Sequence, residues 1–244
     1  MGGGSSVPSR VPPEALLAGV TCDPRIGEVS KEEAIEAIAL SLCGSTTAPK
    51  EEFFNWIMGP RFQAFDSPER MDFCNYNAKF FYGLCAKKGT VIGLRDPDTK
   101  EVLGVLCLLR KPPTDGEMMS VIMSLGKPPH YKPKVWGKEP PKREAALTKG
   151  MKKLAYKGPQ YVVYLMAVKP AHQGKKVGGA LLKAVLALSD RDSVPAYLEC
   201  AGERLQGLYG HLGFERHALA EIEDPSNQEG SGPLKMASML RKPG

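Results

Sequence analysis

The chain has 244 residues, of which 42% are hydrophobic and 25% charged, and its formal net charge is +6. This is the composition of an ordinary globular protein, with one sizeable domain and peripheral helices or at most two small domains. The six cysteines are scattered without a CxxC pair, which argues against a zinc site and favours free thiols in a reducing compartment. No apolar run approaches the roughly 18 residues of a membrane-spanning helix, and the N-terminus lacks the pattern of a secretion signal. We therefore expect a cytoplasmic protein without a metal ion or a transmembrane segment.

Residues 1–30 are rich in glycine, serine and proline and are predicted to form a flexible leader, followed by one domain over residues 31–244. Gly2 and Ser6 fit the loose pattern of N-myristoylation. We favour a disordered leader over acylation of Gly2, and a single myristoyl chain would give only marginal anchoring to a membrane.

Positive charge is concentrated between Lys127 and Lys157. This stretch contains ten lysine and arginine residues against two glutamates and accounts for the net excess. A basic patch is one feature of nucleic-acid binding. Because only Tyr131, Trp136 and Tyr156 could stack on bases, and no binding module is recognisable, we favour a solvated face and expect no nucleic-acid partner.

The first third of the chain is predicted to be helical. Apolar residues recur with helical spacing between residues 32 and 42, after acids in the first turn, and Gly44 ends this helix. Further helices are predicted within residues 50–58 and 68–85.

The hydrophobic period then changes to that of strands. Residues 90–94 and 102–109 are apolar runs separated by an aspartate–proline turn, which predicts an antiparallel hairpin. Residues 111–158 form a proline- and lysine-rich insert with a helix near 142–156. A nearly all-apolar strand at 161–168 is predicted to be buried on both faces.

The last third alternates between helices and strands. Helices are predicted from Val177 to about Ser189 and at 204–212, and strands at 195–200, 215–222 and 234–240. The order strand–turn–helix–strand–helix predicts a mixed α/β sheet with a parallel pair at its centre.

The turn after Val168 has the features of an anion site. Pro170 ends the strand because proline cannot donate to a sheet ladder. Gly174, Gly178 and Gly179 allow the backbone to approach a ligand closely. The first amides of the following helix lack internal partners, and with the helix dipole and two lysines they could bind a phosphate. Neither GxGxxG nor GK[ST] is present, so a Rossmann or P-loop site is not indicated. A plain strand–helix connection is the alternative for this turn taken alone.

Two motifs carry a resemblance to a known family. Gln173-Gly174-Lys175-Lys176-Val177-Gly178 is followed, after a strand, by Tyr209-Gly210-His211-Leu212-Gly213-Phe214. This arrangement resembles the GNAT superfamily of N-acetyltransferases, with its Q/R-x-x-G-x-G/A loop and Y-x-x-x-G-F segment. Lys176 stands where glycine is usual, and Gly202 where asparagine is frequent. Within the superfamily the likeness is to puromycin N-acetyltransferase-like proteins, and it covers residues 160–244 well.

The resemblance implies a GNAT-type α/β fold, with a mixed, mostly antiparallel central sheet, a splayed parallel strand pair and flanking helices. It also implies acetyl transfer from acetyl-CoA, as co-substrate, to a primary amine without a covalent enzyme intermediate. The strands would open at Val168, where the backbone of Met166, Ala167 and Val168 pairs with the pantetheine arm. The pyrophosphate would bind to the amides of Gln173, Gly174, Lys175, Lys176, Val177, Gly178 and Gly179, with Lys175 or Lys176 near the ribose phosphate.

Two residues are candidates for moving protons. A tyrosine, with a pKa of about 10, can hand its proton to a thiolate leaving group at a cost of about 2 kcal/mol, and Tyr209 is predicted to be this general acid. A lysine-like amine must lose a proton at a cost of about 4–5 kcal/mol at pH 7, and Glu199 is predicted to be the base, directly or through a water. The alternatives are packing of Tyr209 beside Phe214 and a salt bridge for Glu199. His172 and His211 are expected to be surface residues.

The insert 111–158 and the helices within residues 50–85 are expected to form the acceptor pocket. Five aromatic residues could line this pocket, although packing in the core is the favoured interpretation for each: Phe53, Trp56, Phe80, Phe81 and Trp136. The leading hypothesis is acetylation of a small-molecule amine. A protein or peptide N-acetyltransferase and a non-catalytic CoA-binding module are the alternatives. The sequence carries no signal for an oligomeric state.

Overall fold

The computed structural model describes residues 11–45, 52–62, 64–226 and 232–244. The candidate acylation site Gly2 and residues 50 and 51 of a predicted helix lie outside these ranges. Within the ranges the chain forms nine α-helices and seven strands, besides three short 3₁₀ turns, in the order α1 (Pro13–Leu17), β1 (Ile26–Gly27), α2 (Lys31–Cys43), α3 (Glu52–Met58), α4 (Pro68–Lys88), β2 (Gly89–Arg95), β3 (Val102–Leu109), α5 (Asp115–Leu125), α6 (Pro133–Trp136), α7 (Glu139–Met151), β4 (Tyr161–Val168), α8 (Val177–Asp192), β5 (Ala196–Ala201), α9 (Gly202–Gly210), β6 (Glu215–Ile222) and β7 (Leu234–Arg241).

The seven strands form one sheet in the order β1-β2-β3-β4-β5-β7-β6. Every neighbouring pair is antiparallel except β4 and β5, which are parallel. Helices α2 and α4 belong to the core on one face of the sheet, and α8 belongs to the core on the other. The predicted fold class, a mostly antiparallel mixed sheet with one parallel pair between helices, is confirmed.

Alternation along the strands divides the side chains between the two cores. In β3, Val105 and Cys107 belong to the core with α2 and α4, whereas Leu106 and Leu108 belong to the core with α8. Successive strand residues point to opposite faces of the sheet, so a strand that is apolar at every position contributes side chains to both cores. We call these two sides of the sheet the α2/α4 face and the α8 face.

The parallel strands pair only at their beginning. β4 and β5 are in register from Tyr161 to Val163, and beyond that point the structure pairs no residue of β4 with β5. A bulge falls at the same place, since Leu165 and Val163 face consecutive residues of β3 and leave Tyr164 as the extra residue. Bulges increase strand twist, which accounts for the divergence. The strands therefore open after Val163, five residues before the predicted position.

The opening also corrects the prediction that β4 is buried on both faces. Four residues of the strand are buried, namely Tyr161, Val162, Val163 and Ala167. The remaining four are partly exposed, namely Tyr164, Leu165, Met166 and Val168. A strand that loses its neighbour on one side exposes its edge and the side chains beside it. The apolar composition of β4 is consistent with this arrangement, because these side chains face a cleft rather than a packed core.

The insert contains more helix than was predicted. The helix expected near 142–156 is α7, which begins and ends earlier, and α5 was missed. Thr114 and Glu117 form a capping box at the start of α5, in which each side chain accepts from the other residue's backbone amide. This spacing is a readable helix start signal. Only Val121 of α5 is buried, so the apolar periodicity that predicts helices is weak here.

Part of the predicted leader is packed against the domain. Leu16 of α1 is 2% exposed, and Ile26 of β1 pairs with Leu94 of β2. Arg191 of α8 donates to the carbonyl oxygens of Leu16 and Ala18 at 3.0 and 2.6 Å. The high proline and glycine content predicted flexibility, but a few apolar residues suffice to dock residues 11–30. In the described part of the chain, no helix combines the length and apolarity needed to cross a membrane.

Candidate active site

The turn between β4 and α8 presents a set of unpaired backbone amides. Gln173 and Lys175 donate their amides within the turn, to the carbonyl oxygens of Pro170 and His172 at 3.3 and 3.4 Å. No side chain caps the start of α8. The amides without an acceptor among the described residues are those of Gly174, Lys176, Val177, Gly178 and Gly179. Five of the seven predicted phosphate-binding amides are therefore available to a ligand.

Two residues of the turn have left-handed backbone conformations. Gly174 has φ +76°, and Lys176, the residue before the helix, has φ +63°. The left-handed region costs a residue with a side chain about 1–2 kcal/mol relative to the right-handed one. The family that the sequence resembles usually has glycine at this position, which avoids the cost. Lys176 adopts the same left-handed conformation at that cost. The substitution noted in the sequence leaves the path of the loop and its amides in place.

Gly178 allows α8 to approach β4 closely. A Cβ at this position would lie 3.3 Å from the Met166 side chain and 3.5 Å from Val168 Cγ2. A side chain would therefore require the end of the Met166 side chain to move by a few tenths of an ångström. The glycine keeps the unpaired amides beside the open edge of β4.

The open edge of β4 has its own side-chain partners. Lys169 donates its amide to Leu103 of β3, so the alternation of an antiparallel pair directs the amides of Val168 and Met166 away from β3. Ala167, between them, directs its amide and carbonyl groups toward β3. The Val168 amide donates to Ser41 Oγ of α2 at 3.2 Å, and the Val168 carbonyl accepts from Gln173 Nε2 at 3.2 Å. Sequence reasoning missed Ser41, for which no motif gave a signal.

One large cleft joins these features. Its volume is about 2800 Å³, and its lining includes the whole turn from Pro170 to Gly179, the open edge of β4 and the end of β5. Helices α2, α3, α4, α5, α7 and α9 contribute the remaining walls. Pockets for single small ligands are roughly 300–1,000 Å³, so this cleft has room for a long ligand and a second molecule. Tyr209 and Glu199 both line it.

Tyr209 is held in the last turn of α9, with 7% of its surface exposed. Its carbonyl oxygen accepts the amides of Leu212 and Phe214, and Gly213 between them has φ +84°. The Phe214 ring packs edge-on against the Tyr209 ring at 6.0 Å. The motif Y-x-x-x-G-F is thus a tight turn that fixes the tyrosine. Packing beside Phe214 and a place in the cleft are both observed.

Glu199 lies in β5 and accepts a hydrogen bond from the Tyr197 hydroxyl at 2.6 Å. Burial raises the pKa of the Glu199 carboxyl above its usual value, while the bond from Tyr197 acts in the opposite direction. No lysine or arginine is paired with Glu199 among the described residues, so the salt-bridge alternative is not observed. A carboxylate with a raised pKa is a stronger base than an exposed one.

Glu199 and Tyr209 reach the cleft from opposite faces of the sheet. Tyr209 belongs to the core on the α8 face, as do Leu198 and Cys200. Glu199 alternates with these two and lies on the α2/α4 face with Tyr197. The opening between β4 and β5 is the place where the two faces meet. The candidate acid is therefore on the side of the phosphate-type turn, and the candidate base on the side of the insert.

The insert and the N-terminal helices line the second half of the cleft. Phe53, Phe80 and Phe81 line it, so the alternative to core packing applies to these three. The two tryptophans follow the favoured interpretation of core packing. Trp136 is 3% exposed against Phe62, and Trp56 packs against the same core and donates its Nε1 to the Gly232 carbonyl at 2.9 Å. Further lining, which sequence reasoning missed, comes from the exposed apolar side of α5 and from α7, including Met118, Met119, Ile122, Glu144, Leu147 and Met151.

The remaining candidate side chains lie at the edge of the cleft. His172 is half-buried and His211 is exposed, and both line the cleft. Among the residues that the structure describes, no group of three or more histidine, cysteine, aspartate and glutamate side chains is placed to hold a metal ion. The six cysteines are free thiols, five of them buried.

Residues 144–216 match the family model of the acetyltransferase (GNAT) domain. The matched stretch runs from α7 to the start of β6 and contains the turn, α8, Glu199 and Tyr209. This stretch of the chain is therefore similar to a GNAT acetyltransferase domain. The prediction of a GNAT-type acetyltransferase enzyme is thereby confirmed, and acetyl-CoA is the co-substrate that enzymes of this family use.

Two solved structures show that the GNAT-type fold extends over nearly the whole chain. Arylalkylamine N-acetyltransferase 2 from Aedes aegypti superposes with a TM-score of 0.51 and 14% identity, over 90% of this chain and 99% of the other. An N-acetyltransferase from Staphylococcus aureus Mu50 superposes with a TM-score of 0.51 and 13% identity, over 88% of this chain and 98% of the other. At these identities the likeness is one of fold.

Proposed function

We propose that this GNAT protein transfers the acetyl group of acetyl-CoA to the primary amine of a small molecule, by direct attack, with Tyr209 as general acid and Glu199 as base. The observation that carries the proposal is the shared cleft. Unpaired amides at the start of α8, the open edge of β4, Tyr209 and Glu199 all face it.

The cofactor's pyrophosphate would lie on the amides of Gly174 and of Lys176 to Gly179. Several amides and the helix dipole act together on one anion there, and Lys175 or Lys176 would lie near the ribose phosphate. The pantetheine arm would add along β4 beside Met166 and Val168. Ala167 would only hold Met166 and Val168 at the right spacing, because its own amide and carbonyl groups face β3.

The chemical step then uses the two faces of the sheet. Glu199 first accepts a proton from the ammonium form of the acceptor, and the neutral amine nitrogen then attacks the thioester carbonyl from the α2/α4 face. The carbon–sulfur bond breaks, and Tyr209 on the α8 face gives its proton to the departing sulfur. The nitrogen releases its second proton to solvent as the amide forms, and solvent restores the proton of Tyr209. The products are the acetylated amine and CoA thiol. Proton transfers of this type are commonly worth about 10²–10⁴ in rate.

The insert supports a small acceptor. Helices α5 and α7 cover the cleft beside Glu199, and apolar side chains including Met118, Ile122 and Met151 line this half. These apolar side chains suit a compact amine with an apolar body. The likeness to puromycin N-acetyltransferase-like proteins in the sequence motifs is consistent with such an acceptor.

The proposal is tested by measuring the release of free CoA thiol from acetyl-CoA with 2-phenylethylamine, puromycin, spermidine and a lysine peptide. We expect turnover with at least one of the small amines and little with the peptide. Absence of thiol release with every amine, although acetyl-CoA raises the thermal unfolding midpoint, would indicate a binding module. Absence of any thermal shift would overturn acetyl-CoA binding itself.

A further inference from the structure

Glu52, in the first turn of α3, presents a carboxylate to the cleft. The residue is exposed and belongs to the cleft lining. Within the described part of the chain it has no hydrogen-bond or ion-pair partner. It differs in this from Glu199, whose carboxylate is buried and already accepts from Tyr197.

The position of Glu52 depends on a missing side chain in α9. Gly202 opens that helix with φ +75°, and a Cβ on it would occupy the place of the Glu52 carboxyl group. The asparagine frequent at this position in the resembling family would fill the same space. Glycine at residue 202 therefore makes room for a negatively charged group that arrives from α3.

The two carboxylates lie on the same side of the sheet, near the end of β5. Phe54, two residues after Glu52, packs into the core on the α2/α4 face, where Glu199 also lies. Burial and then the negative charges of Glu199 and Glu52 raise the pKa of the Cys200 thiol to about 12. The pair thus flanks the region from which the acceptor reaches the thioester.

We propose that Glu52 binds the ammonium form of the acceptor amine and positions it for deprotonation at Glu199. The inference rests on the proposed function. An alkyl amine with a pKa of about 10.4 arrives as a cation at neutral pH, so a docking group must recognise the charge before the base removes the proton. The exposed and unpartnered Glu52 suits docking, and the buried Glu199 suits proton acceptance. Two carboxylates in unlike environments divide the two tasks.

The test compares an amine with its uncharged isostere. 2-Phenylethylamine and 2-phenylethanol are titrated by calorimetry into protein saturated with CoA, which permits binding without turnover. Glu52→Gln keeps the size of the side chain and removes its charge. Glu203→Gln is the matched control, because Glu203 is exposed in the first turn of α9 but lies outside the cleft lining.

We expect Glu52→Gln to weaken binding of 2-phenylethylamine by about 5–10-fold, as for a partly exposed charged hydrogen bond, and to leave 2-phenylethanol unchanged. Glu203→Gln should change neither. The inference would be overturned if Glu52→Gln weakened the binding of both ligands equally, or if Glu203→Gln had an effect of the same size. It would also be overturned if the variant bound the amine as tightly as the wild-type protein, or if neither bound it detectably. Thermal unfolding of each variant separates these outcomes from misfolding. Thiol release by the wild-type protein is measured separately, so that failure of the proposed function is recognised as such.

Discussion

The two halves of the cleft are built from different parts of the polypeptide. On the α8 side, the polar groups open to a ligand are main-chain amides placed by glycines and by the start of a helix. On the α2/α4 side, the walls are side chains from α2, α3 and α4 and from the long insert with its helices α5 and α7. Main-chain binding needs a particular backbone path, which leaves a pattern in the sequence. Side-chain walls need only suitable shape and polarity, which many sequences provide.

This contrast predicts which variants act on acetyl-CoA and which act on the acceptor. Variants of the cofactor half should change acetyl-CoA binding or the departure of CoA. Variants of the acceptor half should change only the binding or the deprotonation of the amine. The four predictions below test the contrast, beginning with the largest effect.

Tyr209→Phe should lower kcat by about 10²–10⁴-fold, because the departing thiolate loses its proton donor. The dissociation constant of acetyl-CoA, measured by calorimetry, should stay the same. Tyr156→Phe is the matched control, since Tyr156 also lines the cleft but on the acceptor side. Equal kcat values for Tyr209→Phe and the wild-type protein would refute the assignment of the acid.

Gly179→Pro should weaken acetyl-CoA binding by about 10–100-fold, the value of a hydrogen bond to a charged group. Proline removes one unpaired amide at a first-turn position that needs no helical hydrogen bond. Gly179→Ala adds a side chain and keeps the amide, and a Cβ there meets nothing within 4 Å. If the alanine and proline variants bind acetyl-CoA equally, this amide does not hold the pyrophosphate.

Ser41→Ala should strengthen acetyl-CoA binding by about 2–10-fold, because the serine hydroxyl competes with the pantetheine for the Val168 amide. The affinity for 3′,5′-ADP, which lacks the pantetheine arm, should not change. A loss of acetyl-CoA affinity in Ser41→Ala would mean that Ser41 supports the bound arm instead of competing with it.

Tyr197→Phe should move the acid limb of the kcat/KM profile to higher pH. The limb reports deprotonation of Glu199, whose pKa is already raised by burial, and the bond from Tyr197 opposes that rise. Without the hydroxyl the pKa rises further, so activity is lost at a higher pH as the solution is acidified. The profile is measured with one amine for both proteins. A shift to lower pH, or none, would contradict the role of Glu199 as base.

The same contrast explains which parts of the cleft could be predicted from the sequence. The strand at 161–168, α8 and the turn between them were predicted closely, because proline, glycine and helix periodicity mark them. The opening of the strands was placed too late, since a bulge at Tyr164 depends on pairing with β3 and carries no local signal. The aromatic residues could not be divided between core and cleft, because an aromatic residue in a helix packs into either one with the same spacing.

Other features of the cleft could not be predicted for a related reason. Ser41 and Glu52 come from helices far from β4 and β5 in sequence, and only the folded chain brings them to the cleft. The Gly202 departure was visible in the sequence, but its consequence depends on the position of α3. Local sequence patterns therefore predicted the turn between β4 and α8, and tertiary packing determined which side chains reach the cleft from elsewhere in the chain.

The central claim is that the unpaired amides after Pro170 hold the pyrophosphate. It is tested most directly by following amide resonances in ¹⁵N-labelled protein during titration with CoA. The account predicts large shifts for Gly174, Gly178 and Gly179 and small ones for residues of β6. Saturable binding of CoA that leaves those three glycine resonances unmoved would contradict it.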